Sequence, residues 1–150
     1  LADRSRLPAL SDLRRIMPTT VGQYCIYVED IARAEKFYTE AMGLKVQSRT
    51  EIPGVHEIVL AADKGGGRLQ LAERYEDRQS IDHGFALWKV YMNVDNCQEI
   101  YDRCIAAGAV SQMEPQRLER WPVTVAFIID LDGYIVELME THIDNRTGAL

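Results

Sequence analysis

From Gln23 to Val28 the chain alternates between two faces, with Gln23, Cys25 and Tyr27 on one and Tyr24, Ile26 and Val28 on the other, the period-two pattern of a strand. Glu29 and Asp30 follow as candidate helix caps. Ile31, Ala34, Phe37, Tyr38 and Ala41 then trace one helical stripe that Gly43 closes. The runs Leu44 to Ser48, His56 to Ala62 and Arg68 to Glu73 read as strands, with Asp63 to Gly67 as a tight turn between the last two. The predicted unit is β-α-β-β-β. Ahead of it, Leu10, Leu13 and Met17 predict a short amphipathic helix over residues 9 to 17, capped at Ser11 or Asp12 and ended by Pro18, an appendage over a sheet edge or a second subunit.

The same order recurs further along. Val28-Glu29-Asp30 maps onto Val94-Asp95-Asn96, and Cys97, Ile100, Tyr101, Cys104 and Ile105 form a second apolar stripe ended by Gly108. Asp63, Gly66, Leu69, Gln70 and Leu71 meet Asp130, Gly133, Val136, Glu137 and Leu138 at one constant offset. The link from Tyr75 to Gly84 is polar and turn-like, as a surface connector should be. The expected fold class is therefore α+β: two βαβββ modules forming a curved mixed sheet around a cleft. The expected division is an extension with a short helix over residues 1–18, a domain over 19–141 (modules at about 19–74 and 86–141), and a tail over 142–150. Pleat parity puts the apolar set of each strand under its helix. Gln23, Cys25, Tyr27, Gln70, Ala72, Lys89, Tyr91, Asn93, Glu137 and Met139 are left to face the cleft.

Composition narrows the function classes. The 150 residues make about one domain, and 47% hydrophobic with 27% charged residues excludes a disordered or low-complexity chain. A net charge of −6 with no basic run repels a phosphate backbone, so no nucleic-acid partner is expected. No stretch approaches the length of a spanning helix, and the first residues lack the apolar block of a secretory signal, so no membrane partner is expected either. Three cysteines are too few for a disulfide framework, which points to a reducing, cytoplasmic setting. Leu1 in place of methionine leads us to expect that the chain was processed or cut.

The first strand running into Val28-Glu29-Asp30, the helix with Phe37-Tyr38 and Gly43-Leu44, and the last strand in the run from Asp130 to Leu138 resemble the vicinal oxygen chelate superfamily. That group includes glyoxalase I, bleomycin-resistance proteins, fosfomycin-resistance enzymes, methylmalonyl-CoA epimerase and extradiol dioxygenases. The resemblance covers residues 20 to 141 and implies the fold; it does not select an activity, because the fold hosts lyases, epimerases, transferases, dioxygenases and binding proteins. It also implies that many two-module members are homodimers, so a homodimer is expected.

In metal-dependent members a divalent ion sits on four side chains at symmetry-related strand positions. These positions fall here on Gln23, Gln70, Lys89 and Glu137, of which only Gln23 and Glu137 match the family's ligand types. The four present no net charge and place an ammonium, which has three donors and no lone pair, inside the cluster. The expectation is a former metal position filled by a Lys89–Glu137 ion pair, with no cofactor, a divalent metal being the disfavoured alternative. His56, His83 and His142 show no ligand spacing and match no ligand position, which disfavours iron-dependent dioxygenase chemistry.

The remaining chemistry centres on Glu137 as a general base beside a carbonyl, with Lys89 stabilising the resulting enolate; a structural salt bridge is the competing role. Gln23, Gln70 and Asn93 are candidates to orient a small polar ligand, and Tyr27, Tyr91 and Met139 to supply flat or soft apolar contacts. Cys25 lacks an activating histidine, and Cys97 and Cys104 read as core. Trp88 and Trp121 frame a cleft mouth or an interface. Three functions follow: a metal-independent lyase or isomerase, a non-catalytic small-molecule binding or sequestering protein, and a metal-dependent glyoxalase I-like lyase.

Overall fold

The computed structural model describes residues 21–63 and 65–142. The helix expected over residues 9 to 17 and the tail after His142 lie outside the described residues.

Two four-stranded mixed sheets, each with one helical segment, form the fold, in agreement with the α+β expectation. The first module runs β1 (Gln23–Tyr27), α1 (Ile31–Lys36) continued by a π-helical turn (Phe37–Ala41), β2 (Lys45–Ile52), β3 (Val55–Ala61) and β4 (Arg68–Arg74). The second runs β5 (Val90–Asn93), α2 (Cys97–Ala106), β6 (Val110–Arg117), β7 (Val123–Ile129) and β8 (Ile135–Thr141). The sheet orders are β1-β4-β3-β2 and β5-β8-β7-β6, with the first and last strands of each module parallel and the others antiparallel. A parallel pair needs a long crossover, and in each module the helix and two strands supply it.

Local chemistry sets the helix ends. Asp30 adopts an extended backbone, and its carboxylate accepts from the Arg33 amide at 2.9 Å; Asn96 does the same for Glu99 at 3.0 Å. A glutamate from the last strand of each module adds to this, Glu73 accepting from the Ile31 amide at 3.4 Å and Glu140 from Cys97 at 2.9 Å. The first helical segment stops where Gly43, at φ +80°, lets its amide reach Thr39 and that of Leu44 reach Tyr38.

The helix-facing sides of both sheets contribute to one core. Leu60, Leu71, Val136 and Leu138 are fully buried in it with Ile26, Tyr38, Cys97 and Cys104. Each such aliphatic side chain contributes about 1.5–3 kcal/mol. None of the ten residues assigned by parity to the opposite faces belongs to this core. The modules are also latched by polar contacts. The Tyr38 hydroxyl donates to Asp130 Oδ2 at 2.6 Å, Arg33 pairs with Asp132 at 2.8 Å, and the Tyr134 hydroxyl donates to the Tyr27 carbonyl at 2.7 Å.

Candidate functional site

On the faces turned away from the helices, the edge strands β1 and β5 are open in the single chain while Gln70, Ala72, Val125 and Glu137 on the inner strands are buried. Gln23, Cys25 and Tyr27 on β1, and Tyr91 and Asn93 on β5, are all exposed. Two pairs of side chains on these faces occupy equivalent places in the two modules. Gln23 at the start of β1 donates its amide nitrogen to the Gln70 carbonyl oxygen on β4. Lys89, one residue ahead of β5, sets its Nζ 2.5 Å from Glu137 Oε2 on β8. Among the described residues no hydrogen bond or ion pair joins one pair to the other.

The second pair is the chemically charged one. The Lys89 and Glu137 side chains are only 10% and 9% exposed, although Tyr91 beside them is open to solvent. Glu137 Oε2 is fully enclosed, and the ammonium is its one close polar neighbour among the described residues. Strand register places Tyr91 and Phe127 on either side of Glu137 in one row across the sheet. The Lys89 ammonium stands over three rings, Trp88 at 4.2 Å, Tyr91 at 4.6 Å and Phe127 at 5.2 Å from their centroids, within cation–π range. Burial pulls the Lys89 ammonium down, but the Glu137 carboxylate and the Tyr91 hydroxyl outweigh it and hold the group above its ordinary value. Lys89 is therefore a permanent cation at neutral pH.

A divalent ion does not fit this donor set. Two amides and one carboxylate offer a single negative charge, and that charge is already answered by an ammonium without lone pairs. Among the described residues no three His, Cys, Asp or Glu side chains converge on a common point. His56 lies on β3 near Glu51 and Glu73, His83 packs edge-on to Tyr134, and His142 meets Thr124 at 2.8 Å, three separate places.

Two hollows adjoin the open faces. One of about 650 Å³, at the end of β1, is lined by Tyr27, Arg33, Arg74, Arg78, Asp82 and Tyr134 among others. Arg33 and Arg78 are answered by Asp132 and Glu73. Arg74 instead stacks at 4.3 Å on the Tyr27 ring and donates to its hydroxyl at 2.9 Å, with no ion pair among the described residues. Arg74 shares the face of Gln70, four residues along β4 and so about 13 Å away. The other hollow, of about 290 Å³, lies between His83, Phe85, Trp88, Lys89, Tyr134 and Ile135.

Sequence reasoning brought Lys89 to Glu137 and Gln23 to Gln70, but missed Phe127 and Arg74. Both were findable, Phe127 by aligning β7 with Glu137 and Arg74 by carrying β4 one residue further at the parity of Gln70 and Ala72. Asn93 and Met139 are strand partners, two residues beyond Tyr91 and Glu137. Cys25 is exposed and partnered in register with Gln70, and partial burial with the nearby Glu57 pushes its thiol up, away from a reactive thiolate. Cys97 and Cys104 are buried, with burial pushing their thiols up to about 11 and about 12.

The sequence matches the Glyoxalase/Bleomycin resistance protein/Dioxygenase superfamily over residues 20–138. A probable chloroplastic lactoylglutathione lyase of Arabidopsis thaliana is 32% identical over 120 residues, 75% of this chain and 33% of the plant protein, so the chain spans about a third of that relative's length. A probable lactoylglutathione lyase of Vibrio parahaemolyticus is 29% identical over 75% of this chain and 84% of its own. Among solved structures, a glyoxalase family protein from Bacillus cereus superposes with a TM-score of 0.74 at 19% identity, covering 84% of this chain and 96% of that one. The trypanothione-dependent glyoxalase I of Leishmania major gives 0.69 at 24% identity over 82% and 87%. At these identities the two structures speak for the fold.

Proposed function

The chain belongs to the Glyoxalase/Bleomycin resistance protein/Dioxygenase superfamily, and from that premise we propose that it is a metal-independent lyase or isomerase acting on a small, enolisable carbonyl compound. The observation that carries the reading is the Lys89–Glu137 contact of 2.5 Å beside the open edge strand β5. Glu137 takes the proton from the carbon next to the substrate carbonyl. The enolate oxygen that results carries negative charge, and the Lys89 ammonium stands next to it. Return of the proton to the same carbon from its other side completes an epimerisation; where that carbon bears a hydroxyl whose proton passes to the enolate oxygen, delivery to the former carbonyl carbon completes an isomerisation, and either route restores Glu137. Chemistry that metal-dependent relatives assign to a cation is thereby given to a fixed side chain.

Gln23, Gln70, Asn93, Tyr27, Tyr91 and Met139 line the ligand's path. Arg74, stacked on Tyr27, takes a carboxylate or phosphate at the ligand's far end. The cleft is completed by a second copy of the chain in a homodimer. Support comes from the exposed aromatics Tyr24, Phe85 and Trp121, a large apolar load for an uncovered surface. A non-catalytic binding protein is the second reading, favoured by the completeness of the ion pair, since an answered carboxylate is a weaker base.

Hydrogen–deuterium exchange at the carbon next to the carbonyl, followed by proton NMR in D2O over a panel of 2-oxo acids and hemithioacetals, tests the proposal. Exchange that depends on Glu137 supports the enzyme. Stoichiometric binding with no exchange on any compound supports the binding protein.

A further inference from the structure

Lys89 is held by more than Glu137. Its ammonium lies 4.2, 4.6 and 5.2 Å from the ring centroids of Trp88, Tyr91 and Phe127, with the carboxylate of Glu137 at 2.5 Å. The three rings come from the approach to β5, from β5 itself and from β7. Register alone puts Tyr91 and Phe127 astride Glu137, so two of the three rings are fixed by the sheet, and Trp88 joins them from the segment leading into β5. Ring faces attract a cation through their quadrupole but offer no lone pair. They suit an organic ammonium, which carries a single charge and needs no lone-pair ligands, and they do not replace the oxygen or nitrogen ligands that a divalent ion loses on leaving water. One carboxylate likewise balances one ammonium and leaves a divalent ion half answered.

We propose that Trp88, Tyr91, Phe127 and Glu137 form a seat specific for a primary alkylammonium, occupied from within by Lys89, so that the three aromatic residues are positioning residues that select an ammonium over a divalent ion at this point of the fold. The inference rests on the reading of Lys89 as the resident cation and deepens it, naming what fixes the cation in place. Trp88 is 74% exposed and Tyr91 56% exposed, so these rings contribute little to the core of the single chain. Their role is at the ammonium.

Lys89→Ala deletes three carbons and the nitrogen, the atoms of propylammonium. Titration calorimetry of that variant with propylammonium chloride, with 1-propanol as the uncharged analogue and with zinc, nickel and manganese chlorides separately, reads the seat without any reaction. Propylammonium should bind about tenfold or more tightly than 1-propanol, and Trp88→Leu or Phe127→Leu in the Lys89→Ala background should remove most of that preference. No divalent ion should bind stoichiometrically. Equal binding of propylammonium and 1-propanol, or stoichiometric uptake of a divalent ion by Lys89→Ala, overturns the inference. If Lys89→Ala does not fold, the intact chain answers by carbon–proton NMR, with the Lys89 ε-methylene assigned from its loss in Lys89→Arg. A ring-current displacement upfield of the other lysines that diminishes in Trp88→Leu and returns in Trp88→Phe supports the seat, and a position among the other lysines overturns it. Ammonium binding without carbonyl turnover overturns the enolisation reading alone; turnover without ammonium selectivity overturns the seat alone.

Discussion

Lys89 Nζ stands 2.5 Å from Glu137 Oε2, and both side chains are about nine-tenths covered. A contact of this kind carries an electrostatic stake in both directions. Two charges withdrawn from water repay their desolvation only together, so losing one partner costs more than the pair is worth. In Lys89→Met the carboxylate stays buried without its cation, and we expect a loss of about 3–5 kcal/mol in urea unfolding. The double variant Lys89→Met with Glu137→Leu should recover most of that loss. A single variant as stable as the parent would show that the pair is open in solution.

Glu137→Gln separates base from ligand. The amide keeps the shape and accepts one hydrogen bond, but takes no proton from carbon. Turnover or exchange at the substrate carbon should fall by about 100-fold or more while ligand affinity, measured by calorimetry, changes by only a few-fold. Parallel loss of both would assign Glu137 to binding.

Arg74 offers a contrast. It is exposed, its partner is the Tyr27 ring and hydroxyl, and no ion pair of the described residues depends on it. Arg74→Ala should leave unfolding within about 0.5 kcal/mol of the parent and weaken an anionic ligand by about tenfold, with no effect on its uncharged ester. Equal loss for acid and ester would place the effect in packing.

The latch between modules is a separate test of the fold. Tyr38 is fully buried, and its hydroxyl donates to Asp130, which also accepts from the amides of Asp132 and Tyr134. Tyr38→Phe removes one buried hydrogen bond to a carboxylate and should cost about 1.5–3 kcal/mol. Unfolding of the two modules in separate steps would go further and show that this contact couples them.

Alkaline pH probes the ion pair directly. The carboxylate and the Tyr91 hydroxyl hold the folded Lys89 above its ordinary 10.5 despite burial. A base raised on folding contributes stability that is full below its unfolded value and is lost as pH rises through the folded one. The melting temperature should therefore show no pH dependence from this group between about pH 6 and 9, where its contribution is full, then fall above 10.5 more steeply than in the Lys89→Met/Glu137→Leu variant. Identical alkaline limbs would remove Lys89 from the account.

Much of this was legible in the sequence because the two modules repeat. Val94-Asp95-Asn96 echoes Val28-Glu29-Asp30, and once the helices were fixed by Asp30, Gly43, Asn96 and Gly108, strand parity kept the ten facing residues out of the helix-side core cluster, although Ala72 is itself buried and Tyr24, of the opposite parity, is exposed. Parity also brought Lys89 to Glu137, since residues at equivalent places in parallel neighbours share a face. It did not show that Gln23–Gln70 and Lys89–Glu137 stand as separate pairs, because alternation fixes which side a residue faces and not which sheet lies opposite. Nor did it find Phe127 or Arg74, whose importance comes from register across strands and from one residue beyond a predicted strand end. The ring enclosure around Lys89 is likewise a three-strand property that no single stretch of sequence displays.

The central claim is that an ammonium holds the place of a divalent ion. Elemental analysis of the wild-type chain, purified without chelator and then dialysed after exposure to equimolar nickel, zinc, iron and manganese, tests it most directly. Far less than one equivalent of any metal per chain is expected, unchanged in Gln23→Ala and Glu137→Gln. One equivalent retained by the wild type and lost in both variants would contradict it.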